Sequence, residues 1–203
     1  ILELVTDPRF SAYALCSSFS FGACCIFLAG ARLVATTAFV VTTAELGFLS
    51  GSITGGFSAG GFLAGKLSSR LPLPAMMLVG RLTACTGLSI GLLVFVFGAP
   101  SPYAFFAGTI FVGIGNGITM PGSNTGAMSV RPDLAGSAAG LTGSMALAGG
   151  AALTSLTGIA IGSGDQPVTV LALMLASSAI GLAAAFAALL LERRARARPL
   201  AMP

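Results

Sequence analysis

The chain has 203 residues, of which 55% are hydrophobic and 8% charged, with a formal net charge of +4. A soluble domain carries about 25% charged residues, so these side chains cannot furnish a water-facing shell, and the solvent around most of the chain is lipid. Four of the ten basic residues sit in one tail, Arg193, Arg194, Arg196 and Arg198, and the rest are scattered singly. That distribution suits topology signals at a membrane surface and excludes a nucleic-acid footprint.

A membrane helix needs about 20 predominantly apolar residues. Residues 1–9 read as a cytoplasmic linker, and the first span is predicted over 10–31, between Arg9 and Arg32. Residues 33–44 are apolar but short. They are expected to form the outer end of that helix plus a loop, with a re-entrant segment as the alternative. The second span is predicted over 45–66, bounded by Glu45 and Lys66, and the third over 75–97. Arg81 lies near the start of the third, where its long stem is expected to snorkel to the interface. No charge occurs from 82 to 130. Gly98, Pro100 and Pro102 divide this stretch, because proline lacks the amide hydrogen and disfavours helix in the residue before it. The fourth span is therefore placed at 102–128. The fifth and sixth follow at 134–162 and 167–191, with a turn between them at 162–167, and 192–203 is a basic cytoplasmic tail.

The expected fold class is all-α, a polytopic membrane protein of six transmembrane helices. With six spans the two termini share a side. Placing that side in the cytoplasm puts Arg9, Lys66, Arg70, Arg81, Arg131 and the tail arginines there, and leaves Arg32 alone opposite. Cytoplasmic loops carry the excess of Lys and Arg, so the charges agree with spans read independently of them. Tyr13 and Tyr103 fall near helix ends, as interfacial aromatics do. A cleavable signal peptide is not expected, since the first apolar run is too long for one.

The side-chain chemistry is narrow. Histidine is absent, which excludes histidine-dependent metal sites and general bases, and neither metal nor cofactor is expected. Cys16, Cys24, Cys25 and Cys85 lie in apolar runs without a CxxC spacing and read as small packing residues. Gly56, Ser58 and Gly60 match the G-x-S-x-G nucleophile pattern, but no base is available to activate the serine, and no enzyme is expected. Glycines recur four apart at 51/55, 56/60, 61/65, 113/117, 122/126, 136/140 and 158/162. Small residues at that spacing share a helix face and let backbones approach closely in lipid.

Polar residues inside the spans are the site signal. On the fourth span Thr109, Asn116 and Ser123 recur every seven residues, with Thr119 and Met120 beside them, and share one helix face. Pro121 and Gly122 are expected to interrupt that helix. On the first span Tyr13, Ser17, Ser20 and Cys24 form a second stripe, and the fifth offers Ser137, Ser144 and Ser155. No acid lies deep in any span, although proton-coupled transport ordinarily uses one.

Two stretches resemble a known family. Gly65, Leu67 and Arg70, with Ser69 where the stronger copy has aspartate and Pro72 where it has glycine, resemble the second-half loop motif of the major facilitator superfamily. The stretch FVGIGNGITMPGSNTGAMSV followed by RPDLAGSAAGL is similar to the C-terminal half of the Bcr/CflA drug-efflux group. Gly113, Gly117, Pro121, Arg131, Ala135, Gly136, Ser137 and Ala138 carry that similarity. The resemblance implies a twelve-helix inner-membrane transporter of two six-helix halves, of which this chain is the second. It implies proton-coupled efflux of a small molecule, with the coupling acid in the missing N-terminal half. It also implies that the first and fourth helices of each half line the cavity. Tyr13, Ser17, Ser20, Asn116, Thr119, Met120 and Ser123 are then the substrate-cavity residues. Gly65, Leu67, Arg70, Pro121, Arg131 and Gly136 are the loop and conformational residues. The alternatives are a truncated or partner-dependent membrane protein without transport of its own, and a homodimeric transporter.

Overall fold

A computed structural model describes residues 2–37, 42–97, 101–161 and 166–197. Among them the secondary structure is helical throughout. A short α1 (Leu2–Val5) precedes α2 (Pro8–Thr37), α3 (Thr43–Leu67), α4 (Leu73–Phe97) and α5 (Pro102–Ser129). A 3-10 turn (Pro132–Leu134), α6 (Ala135–Ile161) and α7 (Gln166–Ala197) complete the chain. Among the described residues α2, α4, α5, α6 and α7 are long and apolar enough to cross a membrane. Several expectations fall on residues outside the described ones. These are 38–41 of the ambiguous 33–44 segment, 98–100 of the proline break, 162–165 of the turn, Arg198, and the side chains of Arg32 and Arg196.

Local chemistry sets the helix starts. α3 opens on a capping box in which the Glu45 amide donates to the Thr42 hydroxyl and the Thr42 amide donates to the Glu45 carboxylate. Pro8, Pro74, Pro102 and Pro167 all stand in the first turn of a helix, where the amide hydrogen that proline lacks has no acceptor anyway. Pro121 is the exception. α5 runs without a break from Pro102 to Ser129 with Pro121 inside it, contrary to the expected interruption. The helix loses one backbone hydrogen bond there, while its glycines pack closely on α3 and α4.

The long helices do not pack in chain order. α2 lies against α6 and α7, α5 lies against α3 and α4, α4 meets α7, and α2 meets α5. Exchanging α2 with α5, α3 with α6 and α4 with α7 maps each of these pairings onto another or onto itself. The directions obey the same exchange. α2 and α6 run parallel, with Ser18 beside Gly149 and Leu153 beside Gly22. α3 and α5 run parallel, with Gly56 beside Ile110 and Gly60 beside Ile114. α2 and α7 run antiparallel, as do α4 and α5. Tyr13 beside Gly126 and Phe27 beside Phe106, 6.0 Å between rings, make α2 and α5 antiparallel too. The bundle is therefore two interleaved three-helix repeats of opposite sense.

Glycines make the interleaving close. At the α3–α5 crossing a Cβ on Gly56 would sit 2.9 Å from the Ile110 carbonyl oxygen, and one on Gly117 would collide with that of Phe57. The other glycine faces are open. Gly51, Gly55, Gly61 and Gly65 of α3, and Gly136, Gly140 and Gly158 of α6, have room for a Cβ with nothing within 4 Å. α6 is correspondingly peripheral, with 22% of its apolar span buried against 61% for α2 and for α5.

Two apolar clusters fill the interior. One is built around Phe27, Leu88, Phe105, Phe106, Leu171 and Met174, and the other around Phe10, Tyr13, Met77, Ala127 and Ala188. On α2, α4 and α7 the buried residues between them are polar or small.

Candidate functional site

A polar layer separates the two clusters at mid-height of the bundle. It comprises Ser17, Ser18 and Ser20 on α2, Arg81 on α4, Asn116 and Thr119 on α5, and Ser177 and Ser178 on α7, all buried. Each follows from helical spacing, since residues three, four and seven apart share a face. The layer is where a bundle in lipid keeps its least soluble groups, because a buried polar atom is costly unless it is paired.

Arg81 is its centre, and here the structure corrects the expectation of a snorkelling side chain. The residue is 0% exposed. It stands eight residues beyond Leu73, roughly 12 Å along the helix, too far inside for its head to reach the nearer end while facing α5. The guanidinium donates through Nη2 to Asn116 Oδ1 and through Nε to Thr119 Oγ1 at 3.4 Å. Asn116 in turn donates through Nδ2 to the Ser20 carbonyl at 2.9 Å. One chain of hydrogen bonds thus ties α4 to α5 and α5 to α2. Arg81 Nη1 and Ser178 Oγ are buried without a hydrogen-bond partner among the described residues. Gly181, one turn after Ser178, leaves the space that the arginine stem occupies, 3.2 Å from an added Cβ to Cδ. No carboxylate among the described residues pairs with Arg81. The ion pairs lie at the bundle ends, Arg9 with Glu192 at 3.6 Å and Arg131 with Asp133 at 3.6 Å.

Asn116 is also a wall of a cavity that is partly open along α3, where Thr54 and Phe57 are exposed. This space of about 140 Å³ lies between α2, α3, α5 and α7, and Cys24, Phe27, Phe57, Thr109, Asn116 and Met174 are among its lining residues. Three of these, Cys24, Thr109 and Asn116, belong to the two polar stripes of the sequence. Ser20 and Thr119 sit beside Asn116 as hydrogen-bond partners of the network and do not line the cavity. Ser123 turns its hydroxyl to the Met120 carbonyl (3.1 Å), and Ser17 donates to Asn124 Oδ1 at 3.3 Å. Met120 is half-buried and Pro121 exposed.

Tyr13 belongs to a different cluster. Its hydroxyl donates to Glu192 Oε2 at 2.5 Å, beside Arg9, and its ring covers Gly126, where any side chain would collide. That cluster closes the ends of α2, α5 and α7 on the side of both termini. The loop and conformational residues Gly65, Arg70, Pro121, Arg131 and Gly136 are exposed, and Leu67 is half-buried. The amides of Arg70 and Leu71 both donate to the Leu67 carbonyl at 2.9 Å, which forms the turn after α3, and the Lys66 ammonium sits 4.6 Å over the Phe62 ring. Gly65 and Gly136 belong to the open glycine faces.

No protein-family model matches the chain, and no curated protein does. The chemistry of the site therefore rests on its residues. Ser58 of the G-x-S-x-G stretch lies mid-helix on α3 and donates to the Thr54 carbonyl at 3.1 Å, a geometry without a strand-to-helix turn or a base. Among the described residues no cluster of three or more His, Cys, Asp or Glu side chains is placed to hold a metal. What the arrangement offers is a small, largely apolar cavity with one anchored amide, backed by a buried cation.

Sequence reasoning found the stripe on α5 but missed the inward arginine, Asn124 and Glu192. A signal for Arg81 is present in the sequence. Gly80, Ala84, Gly87, Leu88 and Gly91 surround it on one face of α4, and a face of small residues in a membrane helix packs on another helix.

Proposed function

We propose that this chain is a six-helix half of a transporter that exports a small molecule across the cytoplasmic membrane, in the manner of the major facilitator drug-efflux proteins its motifs resemble. α3 is the sixth span in this reading, and both termini lie in the cytoplasm. The observation that carries it is the polar layer at mid-height, with a cavity against it, inside two interleaved repeats of opposite sense. Transporters built from inverted repeats bind substrate near the bilayer midplane, at the repeat interface. A merely structural bundle gains nothing from a buried arginine, since a charge at the centre of a membrane helix costs on the order of 3 kcal/mol.

The open glycine faces of α3 and α6 support a second half docked on them. Small residues four apart are the usual surface for helix association in lipid, and a Cβ added at these glycines would meet nothing within 4 Å among the described residues. The proton-coupling acid belongs to that half. A second reading, a partner-dependent membrane protein without transport of its own, is favoured by one observation. Arg81 lacks an acidic partner among the described residues, so the site is electrically incomplete.

The test is flux from vesicles containing the full-length natural protein, loaded with a panel of small aromatic dyes, neutral, anionic and cationic, under an imposed proton gradient. The expected result is export that Asn116→Leu reduces at least tenfold while the variant still inserts. Absence of flux for every dye sinks the transport reading and leaves the partner-dependent one.

A further inference from the structure

The cavity wall and the charge behind it constrain what the site takes. Its volume of about 140 Å³ matches the roughly 150 Å³ apolar cavity that holds one benzene ring. Phe27, Phe57 and Met174 supply aromatic and thioether surface, which favours an aromatic occupant. The buried polar groups in the wall are few. Thr109 gives its hydroxyl hydrogen to the Phe106 carbonyl at 2.8 Å. Asn116 has two amide hydrogens, of which one goes to the Ser20 carbonyl, so the second is the donor left for an occupant.

The sign of the field is set by Arg81. It donates to Asn116 Oδ1, which polarises the amide and strengthens its N–H as a donor. Its charge is not neutralised, since no carboxylate among the described residues pairs with it and Nη1 has no hydrogen-bond partner. Across one amide and one hydrogen bond the charge stands about 8 Å from an occupant's acceptor. At an effective dielectric of about 20 a unit charge at that range shifts binding of another on the order of tenfold or more.

We propose that the cavity beside Asn116 binds a small monocyclic aromatic molecule carrying a hydrogen-bond acceptor, a carboxylate in preference to a neutral amide, and that Arg81 excludes organic cations from it. This deepens the transport reading by naming the substrate class of the same site, and rests on that reading only in taking the cavity as the place where substrate sits.

Three probes of one shape separate the charges: benzoate, benzamide and benzylammonium. Equilibrium dialysis of radiolabelled benzoate against the purified full-length protein at neutral pH is expected to show one saturable site per chain. Benzamide should compete at least tenfold more weakly than benzoate, and benzylammonium not at all. Cys24→Phe, which fills the cavity, is expected to abolish binding. Arg81→Gln is expected to bring benzoate down to the benzamide level, and Arg81→Lys to restore the preference. The proposal is overturned by lack of saturable binding, by binding that Cys24→Phe leaves intact, or by benzylammonium competing as well as benzoate. Because the three-probe comparison is made on the unaltered protein, a variant that fails to fold does not obscure it. Binding without flux retains the site and removes the transport reading, whereas flux with cation preference does the reverse.

Discussion

Replacing Asn116 with leucine isolates the contact on which the polar layer depends. The side chain accepts from Arg81 and donates to the Ser20 carbonyl, so leucine removes both bonds at once. Arg81 is then left with a single long bond to Thr119 at 3.4 Å, still wholly buried. A hydrogen bond to a charged group contributes about 1.5–3 kcal/mol and a neutral one about 0.5–1.5, so the expected loss is about 2–4.5 kcal/mol. In a domain of this size each kcal/mol lowers the melting temperature by about 2–4 °C, and the variant should melt roughly 5–15 °C below the parent. The chain has no tryptophan, so helicity by circular dichroism in detergent is the suitable probe. The diagnostic variant is the double one, Arg81→Met with Asn116→Leu. It removes the buried charge together with its acceptor, and apolar replacement of both members of a buried polar pair is often neutral or stabilising. The double variant should therefore melt above Asn116→Leu alone. If the single variant melts with the parent, or the two changes simply add, Arg81 does not face Asn116 and the description of the layer is wrong.

Three further outcomes are expected. Gly117→Leu should cost about 1–3 kcal/mol by forcing α5 off the Phe57 carbonyl, while Gly140→Leu, on an open face, should change the melting of the isolated chain by less than about 0.5 kcal/mol; equal effects would contradict the close α3–α5 crossing. Tyr13→Phe removes the 2.5 Å bond to Glu192 and should cost on the order of 1 kcal/mol at this partly exposed site, read as faster tryptic cleavage at Arg193 and Arg194. Unchanged cleavage would show that this bond does not hold the end of α7. In a cysteine-free background, cysteine placed at Ser69 should be shielded from an impermeant maleimide added outside intact cells and cysteine at Glu45 should react, both positions being exposed; the reverse pattern inverts the orientation.

Much of the helical layout was legible because lipid imposes a simple rule: charge-free runs of sufficient length become helices. α4 starts at Leu73 and α5 ends at Ser129, within two residues of the sequence bounds of 75 and 128. Ends set by side-chain caps were less visible, and α2 continues to Thr37, six residues past the expected bound of 31. The stripe of Thr109, Asn116 and Ser123 was legible from period alone, and all three are buried. What period cannot give is rotation about the axis of the helix. The setting of α4 decides whether Arg81 faces lipid or the bundle, and it is fixed by the glycine contacts of Gly80 and Gly91 with α5, which belong to two helices at once. The role of Tyr13 was illegible for a similar reason, since Glu192 lies at the far end of the chain. Pro121 was misread because proline breaks helices by removing a donor, and the rule does not weigh close packing on both sides.

The interleaving of the repeats bears on how the protein is made. α2 leaves the ribosome before α5, α6 and α7, the helices it packs against, and Gly22 waits for Leu153. At ribosomal speeds of about 5–20 residues per second that separation of roughly 130 residues lasts on the order of ten seconds. During that interval α2 sits in the bilayer without the Asn124 acceptor of Ser17 and with its small-residue face unpacked. A chain released after α4 has only one repeat, and none of the surfaces that α2 needs. Biogenesis is therefore a matter of holding the first repeat until the second arrives, and nascent chains of this topology should be strong clients of membrane insertases and, when truncated, of membrane proteases.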